Sequence, residues 1–156
     1  MTWTEGVPNE GVITYGQLFA VRPFGNTMVV MSYTGEQIRQ LLEQQFASGT
    51  NTPATPRVLF PSRGFSYVYD LGRAAGNRIF DMSLFGRPIE PATRYRVAMN
   101  SFLAEGGDNF SVFTEGDDPV AGEPDLDALE AYLAANSPVA PPATNRITRI
   151  EQGAGP

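Results

Sequence analysis

The chain is organised around Asn100-Ser101-Phe102-Leu103-Ala104-Glu105-Gly106-Gly107-Asp108-Asn109-Phe110. An apolar run, Tyr95-Arg96-Val97-Ala98-Met99, comes directly before it and favours a strand that leads into it. Gly106-Gly107 predicts a tight turn, because glycine adopts positive φ angles without a Cβ clash. An aromatic ring at Phe102 and a carboxylate at Asp108 on one loop suit a base and its sugar. The same pattern also fits an ordinary glycine turn beside a core phenylalanine.

Helix-capping residues predict the elements that come first in the chain. Thr14 predicts the start of a short helix that Pro23 stops. Thr27–Tyr33 is a near-continuous apolar strand. Thr34-Gly35-Glu36-Gln37 then forms a capping box, after which one helical face carries Ile38, Leu41, Leu42 and Phe46.

The remainder of the chain predicts further strands and one more helix around a single core. Residues 48–56 are expected to form an exposed loop. Strands are predicted at Arg57–Phe60, Phe65–Asp70, Arg78–Phe85 and Arg146–Ile150. After an acidic Gly/Pro stretch (115–124), a helix carries Leu126, Leu129, Tyr132 and Leu133 on one face. The fold class is therefore predicted as α+β (mixed α/β): one domain over residues 11–151, a mixed β-sheet packed with a few helices, a leader at 1–10 and a loose tail at 152–156.

Composition limits the chemistry that this chain can perform. The net charge is −6 and all eleven basic residues are Arg. Nucleic acid is therefore not an expected partner, and no apolar run approaches the ~20 residues that insert across a bilayer. The sequence contains neither His nor Cys, which excludes thiol nucleophiles and the commonest general base and metal ligand. We expect no cofactor and no metal in this chain.

Several stretches together resemble the C-terminal domain of the 5′-nucleotidase family, which includes UDP-sugar hydrolases and 2′,3′-cyclic-nucleotide phosphodiesterases. The resemblance runs in order from about Gly11 to Ile150. It is carried by Gly11-Val12-Ile13-Thr14-Tyr15-Gly16-Gln17-Leu18-Phe19-Ala20-Val21-Arg22-Pro23-Phe24-Gly25-Asn26, Thr34-Gly35, Ser62-x-Gly64, Tyr67-x-Tyr69-Asp70, Gly76-Asn77-Arg78, and Asn100-x-Phe102-Leu103-Ala104-x-Gly106-Gly107-Asp108.

The resemblance implies a division of labour between two domains. In that family an N-terminal metallophosphatase domain holds two divalent metal ions, and the C-terminal domain binds the nucleoside or nucleotide substrate. By motif, Phe24 and Phe102 would stack the base, with Gly25 and Gly107 beside them, and Asp108 would contact the ribose. The parent protein is then expected to be secreted, periplasmic or at the cell surface.

One departure from the family pattern concerns the start of the chain. The family's Asn-Gly-Gly-Gly-Ile-Arg motif, just upstream of the first matching stretch, is absent here. We therefore expect a soluble fragment cut at the domain boundary, without a signal segment and inactive on its own.

Other residues and other functions remain open at this stage. Asn26 and Asn100 are expected to brace their loops. Three arginines fit either of two roles, a phosphate contact or a solvated surface charge: Arg22, Arg63 and Arg73. One alternative is an enzyme active as supplied, with Asp108 and Glu105 as an acid/base pair. Another is a structural or dimerising module with a vestigial pocket.

Overall fold

The structure is a computed structural model that describes residues 12–150. The predicted leader (1–10) and loose tail (152–156) lie outside the described residues. Capping boxes begin the first two helices, α1 (Tyr15–Val21) and α2 (Gly35–Glu43): the hydroxyls of Thr14 and Thr34 each accept a bond from the backbone N–H three residues on. Both helix starts are confirmed.

Three antiparallel strands form the first sheet, in the order β5-β1-β6. Its central strand is β1 (Thr27–Thr34), the apolar run that the sequence indicates. The outer strands are β5 (Arg94–Asn100) and β6 (Asp117–Pro124). Met28 of β1 is paired with Asn100 of β5, so β1 begins at the end of the sheet where β5 stops.

Four strands form the second sheet, in the order β4-β3-β2-β7. These strands are β2 (Phe65–Asp70), β3 (Ile79–Leu84), β4 (Arg87–Pro88) and β7 (Ile147–Ile150). The β2–β7 pair is parallel and the other pairs are antiparallel. The predicted mixed α+β class is confirmed, with the strands divided between two sheets.

The core lies where α2 packs against β1, against β3 and against a 3₁₀ turn, Ser111–Glu115. Its largest fully buried side chains include Tyr33, Phe46, Tyr67 and Phe110. Two short elements follow β5, namely α3 (Ser101–Ala104) and a 3₁₀ turn over Gly107–Asn109. The last helix is α4 (Asp125–Asn136). Of the helices within residues 12–150, none has the length and apolarity that crossing a bilayer requires.

Three local predictions were wrong or incomplete. Arg57–Phe60 forms no strand and belongs to neither sheet. Gln45 binds two of its backbone amides instead: the Gln45 carbonyl oxygen accepts from Arg57 (3.1 Å) and Gln45 Oε1 accepts from Leu59 (2.8 Å). The acidic stretch contains β6, a strand that the sequence did not indicate. The predicted apolar face of α4 is only partly packed: Leu126 is buried, Leu129 and Leu133 are partly buried, and Tyr132 is 55% exposed.

Candidate functional site

Two loops emerge from the same end of the first sheet. The turn at Pro23-Phe24 precedes β1, and α3 follows β5. The Thr27 amide donates to Ser101 Oγ (3.2 Å), and that hydroxyl donates to Asn26 Oδ1 (3.5 Å). The loop that carries Phe24 is therefore tied directly to the helix that carries Phe102.

The Phe24 turn is held by the last helix. The carbonyl oxygen of Asn26 accepts a bond from the Asp125 amide (2.9 Å). The buried Asp125 carboxylate also pairs with Arg22 at 3.3 Å, which accounts for one of the three arginines considered for phosphate. Gly25 follows Phe24 at φ +64°, and the Phe24 ring is 78% exposed. The turn thus displays an aromatic ring to solvent from a fixed backbone.

Phe102 lies in the single turn of α3. Asn100 caps this helix, with its Oδ1 accepting from the Leu103 amide at 2.9 Å. The Phe102 ring packs on the backbone of Gly107, where a Cβ would stand 2.5 Å from two ring carbons. The ring is 46% exposed. Phe102 is thus an anchored, half-exposed ring rather than a core residue.

Asp108 occupies a strained turn at the rim of the same region. Gly106, Asp108 and Asn109 have φ angles of +84°, +53° and +66°. Gly107 does not take a positive φ angle. A glycine is required there instead because the Phe102 ring packs where a Cβ would lie. The Asp108 side chain is 39% exposed, and its Oδ2 lies 3.8 Å from Arg57 Nη1.

Phe102 and Asp108 line one cleft of about 320 Å³. Six apolar and three polar residues form its walls. The lining residues are Pro56, Arg57, Val58, Leu59, Asn100, Phe102, Leu103, Asp108 and Phe110. Within residues 12–150 this lining includes neither Phe24 nor Glu105. The cleft therefore unites one predicted ring with the predicted carboxylate, and it leaves the alternative acid/base partner outside.

Sequence reasoning missed the cleft wall formed by residues 56–59. Its one charged member, Arg57, carries no motif or periodicity that marks it. The wall is fixed through the buried Gln45, whose bonds hold the amides of Arg57 and Leu59. A pattern confined to neighbouring residues does not reveal a contact of this kind.

The remaining predicted residues lie elsewhere. Arg73 pairs with Asp70 (3.5 Å) and its guanidinium lies 4.0 Å from the Phe80 ring centroid. Arg63 lines a larger cavity of about 410 Å³ at the β3–β4 hairpin, beside Phe85 and Arg146. None of the predicted base or ribose contacts lines that cavity. Two rings of β2, Phe65 and Tyr69, pack against the core beside the buried Tyr67.

The cleft offers a poor set of ligands for a metal ion. Its single carboxylate, Asp108, already has the Arg57 guanidinium beside it. No group of three His, Cys, Asp or Glu residues within the described part of the chain could hold a metal ion. The cleft therefore does not fit a pair of divalent metal ions. The resemblance implies such a pair for the N-terminal domain of the family.

Burial changes the acidity of two tyrosines in the core. The Tyr33 hydroxyl donates to the Phe113 carbonyl oxygen at 2.7 Å, and the Tyr67 hydroxyl donates to Gln45 Oε1 at 3.1 Å. Desolvation raises the pKa of Tyr33 to about 12 and that of Tyr67 to about 12. Tyr67 thus binds the same Gln45 side chain that holds the Leu59 amide, and both phenols are neutral at physiological pH.

Comparison with known proteins gives a consistent result. The family model described as the C-terminal domain of 5′-nucleotidase matches residues 3–115. The chain is 37% identical over 113 residues to the trifunctional nucleotide phosphoesterase protein YfkN of Bacillus subtilis, covering 69% of this chain and 8% of that protein. It is 26% identical over 155 residues to a snake venom 5′-nucleotidase of Macrovipera lebetinus, covering 92% of this chain and 36% of that protein.

A solved structure shows the same fold. The crystal structure of a 5′-nucleotidase precursor from Thermus thermophilus matches with a TM-score of 0.75 and 32% identity. The match covers 90% of this chain and 28% of that one. The chain thus spans between 8% and 36% of the length of these proteins.

Proposed function

This chain belongs to the 5′-nucleotidase family as its C-terminal domain, and we propose that it recognises the nucleoside part of the substrate of a nucleotide-hydrolysing enzyme. One observation carries the proposal: Phe102 and Asp108, which come from one loop, line one cleft. The ring offers a stacking surface for a base. The carboxylate offers acceptors for ribose hydroxyls.

The family resemblance suggests a role for each residue, and the exposure and chemistry of the side chains support it. Phe102 stacks on one face of the base, and Phe24 supplies the second face from the turn tied to α3. A base–aromatic contact contributes roughly 1–3 kcal/mol. Asp108 accepts hydrogen bonds from the ribose, and Arg57 beside it balances its charge. Gly107 supports the Phe102 ring, and Gly25 gives the Phe24 turn its backbone angle.

The hydrolytic chemistry is assigned to a different part of the enzyme. We propose that an N-terminal metallophosphatase domain supplies two divalent metal ions and that the present domain delivers the nucleotide to them. The name of the venom relative supports a secreted enzyme. The chain alone is then expected to bind a nucleotide without hydrolysing it.

Titration with AMP, followed by NMR, tests this function on the 156-residue chain. Two stacking contacts and one hydrogen bond must offset the cost of immobilising the ligand, so we expect a Kd of about 1 mM or weaker. The amides of residues 100–110 are expected to shift. Phe102→Ala should abolish these shifts. Phe60→Ala is the matched control, because Phe60 is 87% exposed and lies outside the cleft lining.

The outcome of the titration separates the proposal from its main alternative. Shifts that survive Phe102→Ala, or that map away from the cleft, contradict nucleoside recognition at this site. No binding of AMP or UMP, together with self-association of the chain, would support the structural or dimerising module instead.

A further inference from the structure

The loop after α2 is hydrogen-bonded to the turn that carries Asp108. Asn51 is 57 positions before Asp108 and is only 2% exposed. Its amide nitrogen donates to the carbonyl oxygens of Gln44 (3.1 Å) and Asp108 (2.8 Å). Asn51 therefore links the end of α2 to the backbone of Asp108. Its carbonyl oxygen, Oδ1, has no hydrogen-bond partner within residues 12–150, so the side chain contributes its donors.

Neighbouring residues of the same loop hold the next residue of the turn. The Ser48 hydroxyl donates to the backbone carbonyl oxygen of Asn109 (2.7 Å), and the side-chain amide nitrogen of Asn109 donates to Thr50 Oγ1 (3.0 Å). Gly49 packs so closely that a Cβ there would be 2.4 Å from Asn109 Oδ1. The loop thus fits against the turn by both shape and hydrogen bonding.

The turn requires these contacts because two consecutive non-glycine residues adopt the left-handed backbone conformation. Asp108 and Asn109 have φ angles of +53° and +66°. Asp and Asn tolerate this region better than other side chains, but the conformation remains unfavourable. Strained backbone of this kind persists only where surrounding contacts hold it. Here the backbone carbonyl oxygens of Asp108 and Asn109 accept hydrogen bonds from the side chains of Asn51 and Ser48.

We propose that Asn51 and Ser48 are positioning residues for nucleoside recognition. By holding the left-handed backbone of Asp108 and Asn109, they aim the Asp108 carboxylate at the cleft. Neither side chain lines the cleft, so their effect on a ligand passes through Asp108. This inference rests on the proposed function, in which Asp108 binds the ribose.

AMP affinity of the 156-residue chain, measured by NMR titration, tests the proposal. Loss of one hydrogen bond that orients Asp108 is expected to weaken AMP binding by about fivefold in Asn51→Ala and less in Ser48→Ala. In an Asp108→Ala background the same substitutions should leave the Kd unchanged, because the group they position is gone. Amide hydrogen exchange at residues 108–110 should become faster in both single variants.

Gln44→Ala is the matched control. Gln44 lies at the same helix end and also binds a neighbouring segment through its amide, at Ser111 Oγ (2.8 Å) and the Val112 amide (3.2 Å). We expect it to change AMP binding little. Equal weakening in Gln44→Ala and Asn51→Ala, or equal weakening with and without Asp108, overturns the positioning role.

Two further outcomes separate this inference from the proposed function. If the unaltered chain binds AMP and both variants bind it equally well, only the positioning role is overturned. If the unaltered chain shows no AMP shifts at residues 100–110, the proposed function fails and this inference with it. Should Asn51→Ala not fold, Ser48→Ala decides the question, because Ser48 is only partly buried and its substitution removes one hydroxyl.

Discussion

Gly107 lies directly against the ring of Phe102. A Cβ on Gly107 would stand 2.5 Å from two ring carbons and 2.6 Å from the Phe102 carbonyl oxygen. Carbon atoms in contact prefer separations of about 3.5–4.0 Å, so no side chain fits between them. The second glycine of the Gly-Gly pair therefore sets where the Phe102 ring lies.

Gly107→Ala is expected to displace the Phe102 ring while the domain stays folded. Because the ring forms one wall of the cleft, AMP binding should weaken by about tenfold, which corresponds to ~1.4 kcal/mol. NMR titration measures the loss. Gly16→Ala is the control, since Gly16 lies in α1 with open space where its Cβ would stand. That substitution should stabilise the chain by roughly 0.5–1 kcal/mol and leave the Kd unchanged. Unaltered AMP affinity in Gly107→Ala would show that Phe102 is not part of the binding surface.

Phe24→Ala is expected to weaken AMP binding even though Phe24 is outside the cleft lining. The turn that carries it is fixed to α3 through Thr27 and Ser101, and the proposed function assigns its ring to the second face of the base. The loss should be roughly 1–3 kcal/mol, the usual range for one stacking contact. Phe19→Ala provides the comparison, because Phe19 is a half-exposed ring of α1. AMP-induced shifts of the Phe24 ring protons offer a second measurement. Equal affinities in the two variants would leave the base stacked on one side only.

Alkaline pH is expected to destabilise the chain through two buried phenols. The pKa values of Tyr33 and Tyr67 are raised to about 12 in the folded state, whereas an unfolded tyrosine has a pKa of about 10. Their stabilising contribution is therefore complete below pH ~10 and is lost as the pH rises towards ~12. The loss should reach roughly 2–3 kcal/mol for each phenol.

Urea unfolding between pH ~9 and ~12 measures this loss. The chain has no Lys and no Cys, so neither residue type titrates in that range alongside the two buried phenols. Tyr67→Phe should flatten the profile relative to the unaltered chain. A free energy of unfolding that is constant up to pH ~12 would show that the two phenols are accessible to solvent.

Much of the fold could be predicted because its signals are local. Thr34 and Gln37 are three residues apart and specify the start of α2 by themselves. The apolar run of β1 is likewise continuous in sequence. By contrast, β6 contains Asp117, Pro119 and Gly122, which are poor strand formers. The strand forms because its backbone pairs with that of β1, and two irregularities in the pairing register accommodate the unsuitable residues.

The candidate site divides in the same way. Phe102 and Asp108 belong to one motif and could be predicted together. Arg57 and Asn51 reach the site only through tertiary contacts, and their own neighbourhoods read as strand and exposed loop. Side chains recruited over such distances carry no periodic signal. The predicted motif thus supplied the residues proposed to touch the ligand, and the structure was needed for those around them.

Asp108 has a natural control elsewhere in the chain. Asp118 is also left-handed, with a φ angle of +50°. It also lies near an arginine, 3.9 Å from Arg94, and is 79% exposed. Asn adopts left-handed backbone as readily as Asp, so Asp→Asn at either position should preserve the turn. Asp108 borders the cleft and Asp118 does not, so only the first substitution should affect a bound ligand.

Asp108→Asn is expected to weaken binding of AMP but not of 2′,3′-dideoxy-AMP. A carboxylate that accepts bonds from ribose hydroxyls contributes roughly 1.5–3 kcal/mol, and an amide with one acceptor oxygen retains part of this. The loss of AMP affinity should therefore be about five- to thirtyfold, measured by NMR titration. The dideoxy ligand has no such hydroxyls and should bind both chains equally. Asp118→Asn should change neither affinity. If Asp108→Asn weakened both ligands alike, Asp108 would act on the shape of the turn rather than on the ribose.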